Sequence, residues 1–243
     1  MSELFIRTEF QNGKSIIADS YYTAPLKIAK PFYHSGHTEI MQMCASAGLL
    51  ENDNYQVRLE IGENSRIQLT TQSYAKLFRA EQNGAEQTVF ADISGNAALF
   101  YLPGPAIPFA GSRFRAETEF HIKKKSTLVF CDILSCGRAA MGEQFQFTSY
   151  TSKTSVYLED KLVFLDNSRL RPAQADLAGP GFFEGYNAQG MIYLYGMEPG
   201  RIPSLPGGEV SFSQAPEGIL VRALANSADS IMHLAAAICG FLR

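Results

Sequence analysis

The stretch CDILSCGRAAMGEQFQF holds the charged side chains best placed to do chemistry. Asp132 lies within an apolar, strand-like run. Further along, Arg138 follows Gly137, and Glu143 follows Gly142. A buried charge must be paired or used, because an isolated one is costly, so Asp132, Arg138 and Glu143 are candidate buried polar groups. Two interpretations of Arg138 and Glu143 stay open: a surface ion pair at a tight connection, or an internal pair that fixes a bend.

The histidines, cysteines and possible nucleophiles give weaker signs of a functional site. His34 and His37 have a short, metal-like spacing, but no third ligand lies nearby and the intervening glycine indicates a loop. The four cysteines are scattered, which is typical of reduced core thiols. No Gly-x-Ser-x-Gly elbow or phosphate-binding glycine loop is present. The sequence therefore predicts no enzyme, no metal site and no tightly bound cofactor.

Composition narrows the class of protein further. The 243 residues are 46% hydrophobic and 19% charged, which fits one globular domain over residues 1–243. The formal net charge of -3 argues against a nucleic-acid partner, which would need a basic surface. The segment MSELFIRTEF lacks the apolar core of a signal peptide, and no run is long enough to span a membrane. We therefore expect a cytoplasmic protein with no membrane partner.

The charged groups must be positioned by β-strands, which the sequence pattern predicts. Apolar and polar residues alternate at 55–61 and 114–122, and short apolar runs follow at 127–134, 156–158, 161–165, 190–195, 209–213 and 218–224. Short strands separated by Gly, Pro and turn residues predict a mainly β architecture. Phe145 and Phe147 alternate with glutamines, which predicts one more half-buried strand.

Turn and helix signals complete the pattern. The dipeptides Asn12-Gly13 and Asn83-Gly84 predict hairpin turns, and Glu159-Asp160 predicts a turn between two strands. Residues 71–80 lack breakers and either form a short helix or continue a strand. Loops rich in glycine and proline are predicted at 169–186 and 198–208.

The end of the chain predicts a clear helix. Asn226 or Ser227 can cap its first turn. One apolar face at helical spacing is formed by Ile231, Leu234, Ala235, Ile238 and Leu242. We expect this face to pack on the β core, and contact with a partner protein is the alternative.

Four sequence blocks, in order along the chain, resemble a known family. They are YTAPLKIAKPF from Tyr22, LTTQSYAKLFR from Leu69, LPGPAIPF from Leu102 and GRAAMGEQF from Gly137. Together they resemble the urease accessory proteins of the UreD type, called UreH in some bacteria. The family often has a turn with three glycines, and at the corresponding residues 47–53 this chain lacks the first and the third of them. Asn52, a residue that tolerates left-handed backbone, stands in place of the last glycine. The matching positions, mostly expected to be structural, are Tyr22, Pro25, Lys27, Thr70, Thr71, Gln72, Arg79, Pro103, Pro108, Gly137, Gly142 and Arg222.

The resemblance implies a fold and a function. The implied fold is mainly β, with stacked, β-helix-like sheets of many short strands and a C-terminal helix, while one more short helix is left open. The implied function is maturation of urease, a nickel hydrolase, by a scaffold that is not an enzyme. It would bind urease apoprotein and UreF, which recruits the GTPase UreG, and nickel would pass in transit through an internal polar passage.

Under this resemblance, Asp132 and Glu143 become candidate passage-lining groups, with Arg138 as the pairing group that fixes the local geometry. The alternative class is a small-molecule or carbohydrate-binding β module. Sugar binders favour clustered Trp and Tyr, whereas this chain has no Trp and its Tyr residues are spread out.

Overall fold

Two stacked β-sheets and one helix form the part of the chain that the computed structural model describes, residues 1–197 and 204–240. Strands account for 56% of the chain and helix for 6%, so the predicted mainly β class is confirmed. The described strands are β1 (Ser2–Gln11), β2 (Lys14–Tyr22), β3 (Leu26–Ile28), β4 (Phe32–Tyr33), β5 (Thr38–Cys44), β6 (Asn54–Ile61), β7 (Arg66–Thr71), β8 (Ala75–Leu77), β9 (Ala85–Ile93), β10 (Ala98–Leu102), β11 (Ala106–Pro108), β12 (Arg113–Ile122), β13 (Thr127–Ser135), β14 (Ser149–Leu158), β15 (Lys161–Leu170), β16 (Ala188–Tyr195), β17 (Gly208–Ala215) and β18 (Gly218–Ala225). A short 3-10 helix spans Ala139–Met141, and α1 spans Ala228–Ile238.

The chain winds between the two sheets as a stack of coils. Sheet I has the strand order β15-β14-β12-β9-β6-β1-β2, and sheet II follows β17-β18-β16-β13-β10-β7-β5-β3. From β5 to β14 the chain passes repeatedly from one sheet to the other. Successive strands in each sheet are therefore parallel: β6, β9, β12 and β14 in sheet I, and β5, β7, β10 and β13 in sheet II. This is the stacked, β-helix-like arrangement that the sequence blocks implied. Antiparallel strands β15 to β18 close one end of the stack.

The burial pattern explains which residues form which strand. In β12, Phe114, Phe120 and Ile122 are buried between the sheets, while Arg115 points to solvent. The central strands β10 and β13 of sheet II are almost continuously buried instead. Sheet I covers one face of sheet II and α1 covers the other, so side chains on both faces must be apolar.

Helix α1 forms and docks as the sequence predicts. Ser227 is its N-cap, because the Ser227 hydroxyl accepts a hydrogen bond from the amide of Asp229 at 3.2 Å. The predicted apolar face is buried against sheet II as far as Ile238, whereas Leu242 lies outside the described residues. A Cβ at Gly190 of β16 would lie 2.5 Å from Cγ2 of Ile231, so only glycine lets the helix approach this closely. No helix among the described residues has both the length and the apolarity to cross a membrane.

Most of the predicted turns are confirmed. Asn12 and Gly13 join β1 to β2 with φ of 50° and 77°, and Glu159-Asp160 joins β14 to β15 with two positive φ values. Asn52 has a φ of 69°, the left-handed backbone expected of it. The loop at 169–186 is irregular from residue 171, and in the loop at 198–208 residues 198–203 lie outside the described residues.

Two predictions of local structure are wrong, and the choice left open at residues 71–80 is decided: Thr71 ends β7, and β8 follows at Ala75–Leu77. Residues 71–80 form no helix, because their amides bond to neighbouring coils: Ala75 to Pro105 and Phe78 to Leu49. The Asn83-Gly84 pair is not a hairpin, since it links β8 of sheet II to β9 of sheet I. A Cβ at Gly84 would lie 2.5 Å from the carbonyl oxygen of Arg113, so this glycine serves a close approach of two backbones. The predicted strand at Phe145 and Phe147 is also wrong, since these residues form no strand.

Candidate functional site

A polar cavity of about 310 Å³ lies between the sheets, at the end where antiparallel strands close the stack. One wall is a row across sheet II, in which Met191 of β16 pairs with Asp132 of β13 on one side and with Arg222 of β18 on the other. The opposite wall is sheet I, which contributes Tyr150 of β14 and Asp166 of β15. The cavity thus collects polar groups from both layers of the fold.

Two polar contacts bridge the layers at this cavity. The hydroxyl of Ser152 in sheet I donates a hydrogen bond of 2.6 Å to Oδ2 of Asp132 in sheet II. The guanidinium of Arg222 in sheet II pairs with Oδ1 of Asp166 in sheet I at 2.6 Å. Tyr150 adds a longer contact of 3.4 Å to Oδ1 of Asp132. Both acids are therefore oriented by partners on the facing sheet.

Burial sets the protonation behaviour of Asp132. Removal from water raises the pKa of the Asp132 carboxyl above its ordinary value, and the negative charge of Asp166 raises it further. The hydrogen bond from Ser152 acts in the opposite direction, because it stabilises the carboxylate. Burial, followed by the charge of Asp132, also raises the pKa of Tyr150, so that phenol stays protonated and can donate.

The mouth of the cavity adds further acids. The loop between β15 and β16 contributes Glu184, whose carboxylate accepts a hydrogen bond from the amide of Gly181 at 3.0 Å. Strand β17 contributes Glu209, which accepts a hydrogen bond of 3.3 Å from the hydroxyl of Tyr186. Among the described residues around the cavity, four carboxylic side chains face one arginine, namely Asp132, Asp166, Glu184 and Glu209 against Arg222. The site is acidic overall and rich in oxygen donors.

The Arg138–Glu143 pair lies elsewhere, at the connection after β13. The guanidinium of Arg138 contacts Oε2 of Glu143, with Nε at 2.8 Å, and packs 4.2 Å above the ring of Phe109. The other carboxylate oxygen of Glu143 accepts a hydrogen bond from the amide of Ala110. Glu143 is only 8% exposed, whereas the side chain of Arg138 is 43% exposed. Both oxygens of Glu143 are occupied and neither residue lines the acidic cavity, so this geometry favours the internal pair that fixes a bend.

The bend depends on a close backbone approach at Gly137. Its φ is 134°, and a Cβ there would lie 2.5 Å from the carbonyl oxygen of Glu143. Gly142 ends the 3-10 turn in left-handed conformation. The predicted strand at Phe145 is wrong, because Phe145 has a φ of 52° and its amide bonds back to the carbonyl of Cys136 at 2.7 Å. Its ring packs edge-on against Phe183 instead, which accounts for the apolar pattern without a strand.

A second cavity, of about 210 Å³, is where three of the sequence blocks meet. Leu26 of the first block, Gln72 of the second and Pro103 of the third line it. The hydroxyl of Thr71 accepts a hydrogen bond of 2.8 Å from the amide of Gly104, which ties the second block to the third. These blocks therefore define how consecutive coils stack.

The remaining matching positions occupy structural places. Tyr22 and Lys27 are exposed in β2 and β3, and the carbonyl of Pro25 accepts a hydrogen bond of 2.8 Å from the amide of Ala45. Thr70 is the residue before the last of β7 and has a buried hydroxyl, and Pro108 pairs with Leu77 at the end of β11. Arg79 forms an antiparallel bridge with Ser112, and Arg222 is the one member that reaches the acidic cavity.

The histidine pair does not converge on a common point. The rings of His34 and His37 are stacked, with centroids 4.7 Å apart, and Nε2 of His34 lies 3.2 Å from the carboxylate of Glu39. Burial, followed by the charge of His34, lowers the pKa of His37. Within residues 1–197 and 204–240, no three His, Cys, Asp or Glu side chains are grouped so as to hold a metal ion.

Sequence reasoning missed the sheet I wall of the cavity. Asp166 and Ser168 share the inward-facing alternation of Phe164 and Leu170, so their position in β15 carried a usable signal. That signal requires extending the apolar run at 161–165 through to residue 170. Ser152 was not a candidate, because a serine in a strand gives no sign of the acid that it will face.

Comparisons with known proteins agree with the sequence blocks. The family model described as UreD urease accessory protein matches residues 2–243. A urease accessory protein UreD from Acetivibrio thermocellus is 41% identical over 196 residues, covering 80% of this chain and 75% of the relative. A urease accessory protein UreH from Helicobacter hepaticus is 34% identical over 230 residues, or 91% and 90% of the two chains. One from Helicobacter pylori is 31% identical over 243 residues, or 96% and 91%. The chain therefore belongs to the UreD family of urease accessory proteins.

Proposed function

We propose that this protein is a urease maturation scaffold that binds urease apoprotein and UreF, engages UreG through UreF, and helps nickel reach the urease active site. Membership of the UreD family supports a role in urease maturation. The observation that carries the finer proposal is the acidic cavity between the sheets, where Asp132 and Asp166 face each other from opposite layers. The protein does no chemistry on urease itself in this proposal, and nickel is its cargo.

The cavity has the chemistry that cation transit requires. Carboxylate and hydroxyl oxygens replace part of the water shell of a divalent cation, and a loose set of such ligands lets the ion leave again. Asp132 and Asp166 supply the charge, and Ser152 and Tyr150 orient Asp132. Arg222 neutralises Asp166 in part, which weakens the hold of the cavity on a cation.

Exposed aromatic side chains support the scaffold role. The side of the molecule built from β2 and β4 displays four of them, Tyr21, Tyr22, Phe32 and Tyr33, each about half exposed. Strand β4 pairs with β5, which also contacts β2, so these side chains belong to one end of the stack. Aromatic residues are enriched at protein–protein contacts, where they bury large areas at little entropic cost.

Co-expression tests the proposal directly. The urease subunits and the other accessory proteins would be produced with and without this chain, and urease activity and bound nickel would be measured. We expect both to depend on this chain, and we expect it to co-purify with urease apoprotein and UreF. Fully active, nickel-loaded urease in its absence, with no complex formed, would overturn the proposal and leave the ligand-binding β module as the interpretation to test.

A further inference from the structure

An open groove on the surface, separate from both cavities described above, carries two arginines at close quarters. Its volume is about 420 Å³, and its lining residues are Arg79, Ala80, Glu81, Ala110, Gly111, Arg113 and Thr148. None of these residues lines the acidic cavity or the cavity at the sequence blocks. The groove is therefore a distinct place in the fold, built where β8 leads toward β9 and where β12 begins.

The backbone brings the two arginines together. Arg79 forms an antiparallel bridge with Ser112, so Arg113 follows directly after the bridged residue. The side-chain stem of Arg79 runs along Gly111, where a Cβ would come within 3.1 Å of its Cγ. The neighbouring amides are fixed, since Gly111 donates to Gln146 at 2.8 Å and Ala80 donates to Gly111 at 3.2 Å. The donors left for a ligand are therefore side chains, the guanidinium groups and the hydroxyl of Thr148, and not free amides.

The positive charge of the groove lacks a matching acid. Nε of Arg113 is buried and has no hydrogen-bond partner in the structure. None of the ion pairs among the described residues includes Arg79 or Arg113, and Glu81 is the only acid that lines the groove. Two arginines against one acid leave the groove with unbalanced positive charge, which an oxyanion from solution would neutralise.

The acids nearest to the groove are already committed. The carboxylate of Glu51 accepts hydrogen bonds from the amides of residues 81, 82 and 83, which lower its pKa. The charge of Arg113 also lowers that pKa, but by less than any of these hydrogen bonds. Glu143, which holds the amide of Ala110, is paired with Arg138. Neither acid leaves its position without breaking several contacts.

We propose that this groove binds an oxyanion, either a carboxylate or a phosphate group, between the guanidinium groups of Arg79 and Arg113. Both ligand types present two or more oxygens in the geometry that a guanidinium fork matches. Arg113, which is half-buried, and Arg79, which is exposed, supply the two guanidinium groups. The proposal is independent of nickel delivery, because it uses no residue of the acidic cavity.

The test uses the arginine Nε–H signals of the ¹⁵N-labelled full chain. Sodium acetate serves as the carboxylate probe and inorganic phosphate as the phosphate probe, each titrated at constant ionic strength against chloride. We expect a saturable shift of the Arg113 Nε–H signal with at least one probe, and the tighter probe identifies the ligand class. Arg79→Gln should weaken that probe by about tenfold or more, since a charge-assisted contact is removed.

Two further variants complete the design. Arg113→Lys keeps the charge but removes the guanidinium fork, so calorimetry should also show weakened binding of the probe. Arg115→Gln removes an exposed arginine two residues further along β12 and should leave binding unchanged. A shift that does not saturate with either probe, or equal affinity in the Arg79→Gln and Arg115→Gln variants, would overturn the proposal.

Discussion

The carboxylate of Asp132 on one sheet accepts a 2.6 Å hydrogen bond from Ser152 on the other, so an acid of the cavity is held by the layer that faces it. The same cavity contains a second cross-layer contact, between Arg222 and Asp166. Each sheet thus supplies one acid and one partner for the acid opposite. The orientation of both carboxylates therefore depends on how the two sheets are stacked.

Asp132 should make the protein less stable as the pH rises. Its pKa is raised by burial, so between its unfolded value, about 3.9, and its native value the folded state binds more protons than the unfolded state. Stability from this group is then fully present below about pH 4 and is lost as the pH rises through the native pKa. We expect Asp132→Asn to exceed the wild type in free energy of unfolding at neutral pH, with the difference shrinking toward pH 4. Urea denaturation across this range measures it, and a less stable variant at pH 7 would contradict the argument.

The same substitution should impair function. Asp132→Asn keeps the shape of the side chain and an acceptor for Ser152 but removes a negative charge from the acidic cavity. If the cavity passes nickel, urease activity and bound nickel in the co-expression assay should fall by about tenfold or more, the equivalent of one lost charged contact.

Asp160→Asn is the matched control for this assay. Asp160 carries an acid in the exposed β14–β15 turn with a φ of 66°, which asparagine adopts readily, so activation should be unchanged. Equal activation by both variants would remove Asp132 from the passage. Loss of activation in a variant that is more stable than the wild type could not be explained by misfolding.

The Arg138–Glu143 pair should be asymmetric in its effect on stability. Glu143→Ala removes the acceptor of the Ala110 amide as well as the partner of Arg138, and should cost about 1–3 kcal/mol. Arg138→Ala removes a partly exposed charge and should cost less than about 1 kcal/mol. Thermal denaturation distinguishes them, with about 2–4 °C expected per kcal/mol. Equal losses, or a larger loss for Arg138→Ala, would show that the amide contact is unimportant.

Docking of α1 should depend on the absence of a side chain at Gly190. Gly190→Ala would force a contact with Ile231, at a cost of about 1–3 kcal/mol. Adding Ile231→Ala should relieve that contact, so the double variant should lose less stability than the sum of the two single variants. Gly95→Ala is the control, because its nearest neighbouring atom would be 3.7 Å away. Additive losses in denaturation experiments would exclude close packing at Gly190.

The sequence predicted those parts of the fold that depend on residues close together in the chain. Alternation in β12 and the cap at Ser227 depend on neighbouring residues in the sequence, and both are confirmed. Gly137 has a φ of 134° and lies at a close approach of two backbones, which the sequence marks only by a glycine beside a charged residue. Where a segment takes its backbone partners from another coil, as at residues 71–80, the local pattern left helix and strand undecided, because the deciding hydrogen bonds come from other coils.

The site was less predictable than the fold for the same reason. Asp132 stood out as an acid in an apolar strand, but its acceptor role follows from Ser152, and that pairing requires the stacking of two sheets. Arg222 was recognised only through the family resemblance. Its partner Asp166 comes from a strand that pairs with neither β18 nor β16, so no register argument within one sheet could have joined them.

The positions of the cross-layer contacts in the sequence also set the order in which they can form during synthesis. Asp132 and Ser152 are 20 residues apart in sequence, whereas Asp166 and Arg222 are 56 apart, and β18 must be in place before the second contact can form. Synthesis from the N-terminus can complete the parallel coils up to β14 while β18 is still inside the ribosome. The walls of the acidic cavity therefore close after the parallel coils, and a nascent chain that still lacks Arg222 has built the coils but not the complete cavity.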